Sequence, residues 1–312
     1  MIVAASHQPS ISKRSRSACV LFAFIVLMVA SSGATCPQYL RGYQYGTMPL
    51  PRALPSHATL SDVITVVHDN TDRVRSYMAP QAVLTVQGVP RLSAVVACEP
   101  PRRFRLRAQT AVTGNELDIG SNDNLFWLWI RRHEPPVMLF CRHDQYLESR
   151  ARELLPIRPE WMPELLGLVR FMPTDAHEGP FQLPDGRIEI RSRIVSPEGT
   201  LSKSTVLDGT TGLVLEQHLF SPTGERLASV RTTRHRFDPT SGSALPRLIE
   251  VSWPAAKIDF QLDLATVTTN MPPNEPGQLW QMPAYEGYRP VDLAGENIEL
   301  QMQAQPSSEP QR

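Results

Sequence analysis

The chain has 312 residues, of which 31 are lysine or arginine and 31 are aspartate or glutamate, so its formal net charge is zero. A nucleic-acid partner needs a clustered positive surface to meet the phosphate backbone, and this charge balance argues against that class of partner. Hydrophobic residues make up 41% of the chain, which is enough apolar material for a large core.

The first 35 residues have the features of a secretory signal peptide. Residues 1–18 hold three basic and no acidic side chains, residues 19–30 are an apolar run, and residues 31–35 are small. This order is typical of a secretory signal, and the apolar run is shorter than the about 20 residues that span a bilayer. We therefore expect a mature protein that works outside the cytoplasm with a net charge of 28 − 31, or −3.

Cys36 follows this segment directly and leaves two routes of processing open. In the first, Cys36 becomes an acylated N-terminus, as in bacterial lipoproteins, although Gly33 and Thr35 make the required motif imperfect. In the second, signal peptidase cuts after Ala34. The position of the cysteine and the Pro-rich composition of residues 36–57, typical of a tether, favour lipid attachment. An uncleaved membrane anchor is a third possibility.

Two segments are predicted to be helical. Thr59 and Asp62 form a capping box, and apolar residues recur at helical spacing from Leu60 to Val74. This apolar stripe must pack against another element. A second helix is predicted over 160–167, where Pro163 is tolerated in the first turn.

Most of the remaining chain alternates between apolar and polar residues, as half-buried strands do. In Arg103–Gln109, Phe104 and Leu106 point to one face and the arginines to the other, and Arg187–Arg193 has the same pattern. Turn residues separate such strands, which favours an antiparallel meander. Leu125–Ile130 is apolar on both faces, so it must be covered on both sides.

These elements predict a mainly β (α+β) protein: a strongly curved antiparallel sheet with one or two helices packed in or over its concave face. The predicted organisation is a signal peptide, a tether, one folded domain with a Pro- and Gly-rich extension from 271, and a tail of disordered composition, at residues 1–35, 36–57, 58–295 and 296–312.

The segments that bear a family resemblance are the helix Leu60–Val74, the strand Ala82–Val86 and above all Val206–Trp253, in which Leu207–Leu215 has a D-x-x-T-G-L-x-L hairpin pattern. In these segments the chain resembles the LolA/LolB-like superfamily of periplasmic lipoprotein carriers and their relatives, over roughly residues 58–270. The resemblance implies a half-open β-barrel whose interior binds acyl chains of lipids or lipoproteins. A lipidated N-terminus would bring the chain closer to the LolB-type receptors.

Inward-facing apolar residues of the predicted strands are the candidates for lining such a cavity. The alternative is an ordinary filled core, because a small barrel can fill its own interior. In the cavity interpretation the helix Leu60–Val74 is a lid, and Leu154–Leu155 and Met162–Leu168 are candidates for the protruding apolar loop of the LolB type. The candidate cavity residues are Phe104, Leu106, Trp127, Trp129, Ile188, Ile190, Leu213, Leu215, Leu262 and Leu264.

Cys98 and Cys141 are predicted either to form a disulfide in an oxidising compartment or to be two buried thiols. The nearest approach to a metal or catalytic constellation is Cys141 with His143 and Asp144, and its spacing matches neither class of site. We expect no metal, no cofactor and no enzymatic activity.

Arginines recur along the outer faces of two predicted strands, in residues 102–107 and 187–193. They either pair with neighbouring acids or contact anionic headgroups, which arginine recognises bidentately. The expected partners are lipid or lipoprotein acyl chains and, through an acylated Cys36, a membrane. We expect an envelope-anchored monomer that faces the periplasm, or a soluble secreted protein if Cys36 is not acylated. The sequence identifies no protein partner.

Overall fold

The computed structural model describes residues 50, 52–149, 151, 161–196, 199–254, 258–272 and 276–295. The predicted signal peptide, Cys36, most of the tether, the loop candidate Leu154–Leu155 and the tail 296–312 lie outside these residues. Within the described part, no helix combines the length and the apolar character needed to cross a membrane.

Sixteen strands and three α-helices make up the described secondary structure. The helices are α1 Leu60–Asp72, α2 Met162–Leu165 and α3 Pro276–Leu279, with 3-10 turns at His143–Glu148 and Pro184–Gly186. The strands are β1 Tyr77–Val86, β2 Leu92–Glu99, β3 Arg103–Thr110, β4 Gly114–Ser121, β5 Leu125–Ile130, β6 Val137–Arg142, β7 Ala176–Gln182, β8 Arg187–Ser196, β9 Gly199–Asp208, β10 Val214–Phe220, β11 Arg226–Thr233, β12 Arg236–Asp238, β13 Ser243–Leu245, β14 Leu248–Trp253, β15 Ile258–Thr269 and β16 Arg289–Asp292.

Fourteen of these strands form one sheet in the order β16-β6-β5-β4-β3-β2-β1-β15-β14-β11-β10-β9-β8-β7, and β12 and β13 form a separate hairpin. Neighbours are antiparallel except β16, which is parallel to β6. Phe126 and Leu139, near one end of the sheet, share an apolar cluster with Ile194 and Leu201, near the other. The sheet is therefore strongly curved but open, because β7 and β16 are its two edges. This confirms the predicted fold class.

Helix α1 begins at the predicted capping box. The Thr59 backbone N–H donates to Asp62 Oδ2 at 2.8 Å, and the Asp62 N–H donates to Thr59 Oγ1 at 3.2 Å. These bonds satisfy backbone donors that a helix N-terminus otherwise leaves unpaired. The buried face of α1, with Val63 and Val67, packs against strands β8 to β10 rather than against the centre of the sheet.

Strand β5 is covered on both faces, as its apolar sequence predicts. Phe126 packs in the inner cluster that joins the ends of the sheet. Trp127 and Trp129 point to the outer face, where they pack against Met138 and against aromatic residues of the range 276–292. This range is called the C-terminal segment below. The predicted Pro- and Gly-rich extension thus supplies the outer cover.

Candidate apolar ligand face and its cover

The concave face of the central strands forms one continuous apolar surface, which we call the central cluster. Its members lie on β1, β2, β3, β11, β13, β14 and β15, and Val74, Leu166 and Leu168 join them from outside the strands. Phe104, Leu106, Leu262 and Leu264 all belong to it, so the structure brings these predicted cavity residues together. The alternation of β3 and β15 in the sequence places them there.

The other predicted cavity residues lie elsewhere. Ile188 and Ile190 are buried beneath α1, in a cluster of their own with Leu207 and Val214. Trp127 and Trp129 are on the outer face and do not border the concave surface.

Leu213 and Leu215 are only half-buried, whereas Val214 between them is buried. The prediction that Leu213 and Leu215 face inward is therefore wrong. A β-bulge shifts the register between Val214 and Glu216, and such an extra residue changes which side chains face inward.

A short segment, residues 161–171, lies over the central cluster and is called the cover segment below. Leu166 and Leu168 are members of the cluster, and Met162 and Leu165 pack against it. The prediction that Met162–Leu168 forms a protruding apolar loop is therefore wrong, since its apolar side chains point into the sheet. Within the predicted helix 160–167 the structure has α2, which is only one turn long.

Polar contacts fix the cover segment at its start. Glu164 forms an ion pair with Lys203 of β9. The Gln217 side chain of β10 donates to the Glu164 carbonyl at 3.2 Å. Both side chains of the ion pair are largely shielded from solvent, so it is screened less than a surface pair.

The end of the cover segment is fixed to α1. Thr71 Oγ1 donates to the Val169 carbonyl at 2.8 Å, and the Phe171 N–H donates to His68 Nε2 at 3.0 Å. The cover is thus held by a few polar bonds at its two ends and by apolar packing between them.

A pocket of about 50 Å³ opens beside the cover segment. A site for one water molecule needs about 10–15 Å³ by the same measure, so the pocket has room for a few water molecules but not for a long acyl chain. With the cover in place, the concave face is therefore filled at this point. The pocket is lined by Trp161, Glu164, Leu165, Lys203, Gln217, His218, Leu219, Ala228 and Val230.

Cys98 and Cys141 are both free and buried. Cys98 on β2 belongs to the central cluster, and Cys141 on β6 belongs to the inner cluster that joins the ends of the sheet, so the predicted disulfide is not formed. Burial raises the pKa of both thiols, which keeps them protonated and unreactive.

Several arginines of the outer face are paired with acids. Arg103 contacts Asp123, with 2.6 Å between Nη2 and Oδ2, and Arg191 and Arg193 pair with Glu189 and Glu178, each at 2.8 Å. The first of the two sequence interpretations, cross-paired surface charges, fits these contacts.

His143 and Asp144 do not form a shared site. His143 Nε2 lies 2.8 Å from the Asn122 carbonyl, and Asp144 pairs with Arg142. Among the described residues, no group of three or more His, Cys, Asp or Glu side chains is arranged to hold a metal ion.

Several solved structures are similar to this fold. A DUF1329 family protein from Desulfovibrio piger matches with a TM-score of 0.48 and 11% identity, covering 71% of this chain and 98% of its own. A putative outer membrane lipoprotein-sorting protein domain from Vibrio parahaemolyticus matches with a TM-score of 0.47 and 8% identity, covering 70% and 98%. A LolA superfamily protein from Nitrosomonas europaea matches with a TM-score of 0.42 and 10% identity, covering 70% and 97%.

No protein-family model and no curated protein matches the chain. At these TM-scores and identities the likeness does not extend to function.

Proposed function

We propose that this chain is a non-enzymatic, monomeric binding protein of the cell envelope. In this proposal an acyl chain of a lipid or lipoprotein lies on the central cluster after the cover segment withdraws. The observation that supports it most is the nature of the cover: apolar side chains of one short segment pack on a broad apolar face, and the polar attachments of that segment lie at its two ends.

An exchange between cover and ligand is energetically reasonable. Each aliphatic side chain buried by the cover stabilises the closed state by about 1.5–3 kcal/mol. An acyl chain gains about 0.8 kcal/mol for each buried CH₂ group, so a long chain offsets the loss of the cover residues. Opening without a ligand exposes the face to water and is therefore unfavourable.

The envelope location rests on the sequence. The signal peptide and Cys36 support export and, by the lipoprotein route, attachment to a membrane. An acylated Cys36 would hold the binding face near the lipids that it is proposed to bind.

A second candidate is an interaction protein of the envelope with the same fold and a permanently filled core. The small volume of the pocket beside the cover favours this alternative. It predicts a cover that does not move and no bound lipid.

Native mass spectrometry distinguishes the two candidates. Residues 37–312 are produced in a bacterial periplasm and purified without detergent, in the wild-type form and as Lys203→Gln, which breaks the ion pair to Glu164. We expect added mass matching an acyl lipid, and a larger lipid-bound fraction in Lys203→Gln because the cover is held less firmly.

The matched control is Arg193→Gln, which breaks an exposed ion pair on the outer face and leaves the cover untouched. It should bind lipid as the wild type does. A lipid-free mass for all three proteins, even after incubation with a long-chain fatty acid, would contradict acyl binding and favour the filled-core alternative.

A further inference from the structure

Arg247 lies on the concave face, directly before the first residue of strand β14. Its N–H donates to the Thr233 carbonyl at 3.2 Å, and its carbonyl accepts from the Leu264 N–H at 2.8 Å, so it continues the ladder between β11 and β15. Side chains along a strand alternate between faces, and Arg247 is two residues before the buried Ile249 and four before the buried Val251. It is therefore in phase with them. A guanidinium group is therefore directed to the same face as the central cluster.

The Arg247 side chain is only 9% exposed, and its buried Nη1 has no hydrogen-bond partner among the described residues. No carboxylate of the described part lies within ion-pair distance of it. Buried charges in proteins are ordinarily paired, because an unpaired charge in an apolar environment is costly. Desolvation lowers the pKa of Arg247, which is the expected response of a cation without a close counter-charge.

Tyr77 is a second buried group without a hydrogen bond. Its side chain is 2% exposed, belongs to the central cluster, and carries a hydroxyl with no partner among the described residues. Burial raises the pKa of Tyr77, and the positive charge of Arg247 acts against that rise. Together they offer a cation and a neutral hydroxyl donor, the combination that binds an oxyanion.

Asp238, an acid that acts electrostatically on Arg247, is already engaged. Asp238 Oδ2 accepts hydrogen bonds from Ser241 Oγ at 2.6 Å and from Thr269 Oγ1 at 2.5 Å, and it acts on Arg247 only at longer range. Arg236 adds a second positive charge to the same surroundings. The local field therefore favours a negatively charged ligand.

The cover segment passes next to this site. A Cβ atom added to Gly167 of the cover would lie 2.8 Å from Pro246 Cδ, and Pro246 precedes Arg247 in the chain. The cover segment thus contacts both the central cluster and the residue next to Arg247.

We propose that Arg247 and Tyr77 bind the oxyanion, carboxylate or phosphate, of an amphiphile whose acyl chain lies on the central cluster. This inference rests on the proposed acyl binding and adds its ligand class, an acyl chain with an anionic head. An uncharged lipid of equal chain length leaves the guanidinium unpaired and binds more weakly.

Calorimetric titration tests the proposal with dodecanoate, dodecyl phosphate and dodecanol, below their micellar concentrations, and with inorganic phosphate alone. The protein is residues 48–312, which form one compact unit with their own cores. We expect the two anionic amphiphiles to bind at least about tenfold more tightly than dodecanol, because a hydrogen bond to a charged group contributes this much. Arg247→Gln should abolish that preference.

Tyr77→Phe removes only the hydroxyl and should reduce the preference severalfold. The matched control is Arg234→Gln, an arginine near the same end of the sheet that is exposed and paired with Asp263, and it should keep the full preference. If Arg247→Gln does not fold, the wild-type preference and its reduction in Tyr77→Phe decide the question.

The outcomes separate the two proposals. Binding of no amphiphile would contradict acyl binding itself, and the oxyanion site with it. Equal affinity for dodecanoate, dodecyl phosphate and dodecanol would leave acyl binding intact and overturn the oxyanion site. Inorganic phosphate alone is the third case. If it binds as tightly as dodecyl phosphate, and only when Arg247 is present, the acyl chain adds no affinity and the anion is not that of a lipid head.

Discussion

Arg105 and Asp118 form a buried ion pair on the outer face of the sheet, with distances of 2.7 Å from Nη2 to Oδ2 and 3.1 Å from Nε to Oδ1. Asp118 is fully buried and also accepts from Trp127 Nε1 at 3.1 Å and from Tyr285 Oη at 2.8 Å. Arg105 Nη1 donates to three carbonyls of the C-terminal segment at 2.8–3.4 Å. One polar centre thus binds this segment to the sheet.

Asp118→Asn is expected to destabilise the protein strongly. It leaves the guanidinium of Arg105 buried without its counter-charge, and removal of one partner of a buried pair typically costs about 3–5 kcal/mol. Urea unfolding measures the loss. The control is Asp123→Asn in the exposed pair with Arg103, where we expect about 1 kcal/mol or less. Equal losses in the two variants would contradict a central role for the buried pair.

The sequence predicts the strand that holds Arg105 but not its burial. Period-two alternation correctly placed Phe104 and Leu106 inside and the arginines outside. Nothing in that pattern distinguishes Arg105, which is buried, from Arg107, which is exposed. The difference comes from the C-terminal segment, far away in the chain, whose Pro- and Gly-rich composition has no periodicity that would indicate where it packs.

Gly120→Ala is expected to disrupt the same region by a steric route. A Cβ at this position in β4 would lie 2.0 Å from Cζ2 of Trp127, whose indole is held by its bond to Asp118. Overpacking of this kind costs about 1–3 kcal/mol and sometimes more, and it should lower the melting temperature and alter the near-UV signal of the tryptophan. Gly277→Ala, where a Cβ meets no atom within 4 Å, is the control and should melt as the wild type does.

Because Cys98 and Cys141 are free, a titration with a thiol reagent tests the structure. In residues 48–312, Cys98 and Cys141 should be unreactive toward a thiol reagent in the native protein, because both are buried and protonated. Unfolding in urea without reductant should release two reactive thiols per chain. Absence of reactive thiols after unfolding would show a disulfide and contradict the structure.

The cover segment shows a second limit of sequence reasoning. The sequence identifies its apolar residues but does not show whether their side chains point to solvent or into the sheet, because an exposed apolar loop and a segment packed on a sheet have the same composition. The contacts that decide the matter, from Lys203 to Glu164 and from Thr71 to Val169, join residues distant in the sequence. Arg247 was missed for a similar reason: only its pairing in the sheet shows that it faces inward.

His235 is expected to make the stability depend on pH. Burial lowers its pKa from 6.5 to about 4, against the opposing effects of Asp208 and the Val214 carbonyl, and Arg247 adds to the lowering. Above pH 6.5 the imidazole is neutral in the folded and the unfolded chain. Between pH 6.5 and 4 the unfolded chain binds a proton that the folded protein does not, so the free energy of unfolding falls as the pH falls.

The loss from this group is at most about 3 kcal/mol, since each unit of pKa difference corresponds to about 1.4 kcal/mol. Urea unfolding of the wild type and of His235→Gln, at several values between pH 7.5 and 4, measures it as the difference between the two curves. Carboxylates that do not interact with His235 contribute equally to both proteins and cancel in that difference, whereas Asp208 interacts with it. We expect the difference to grow steadily below pH 6.5, and parallel curves would show that His235 is protonated as easily in the folded protein as in the unfolded chain.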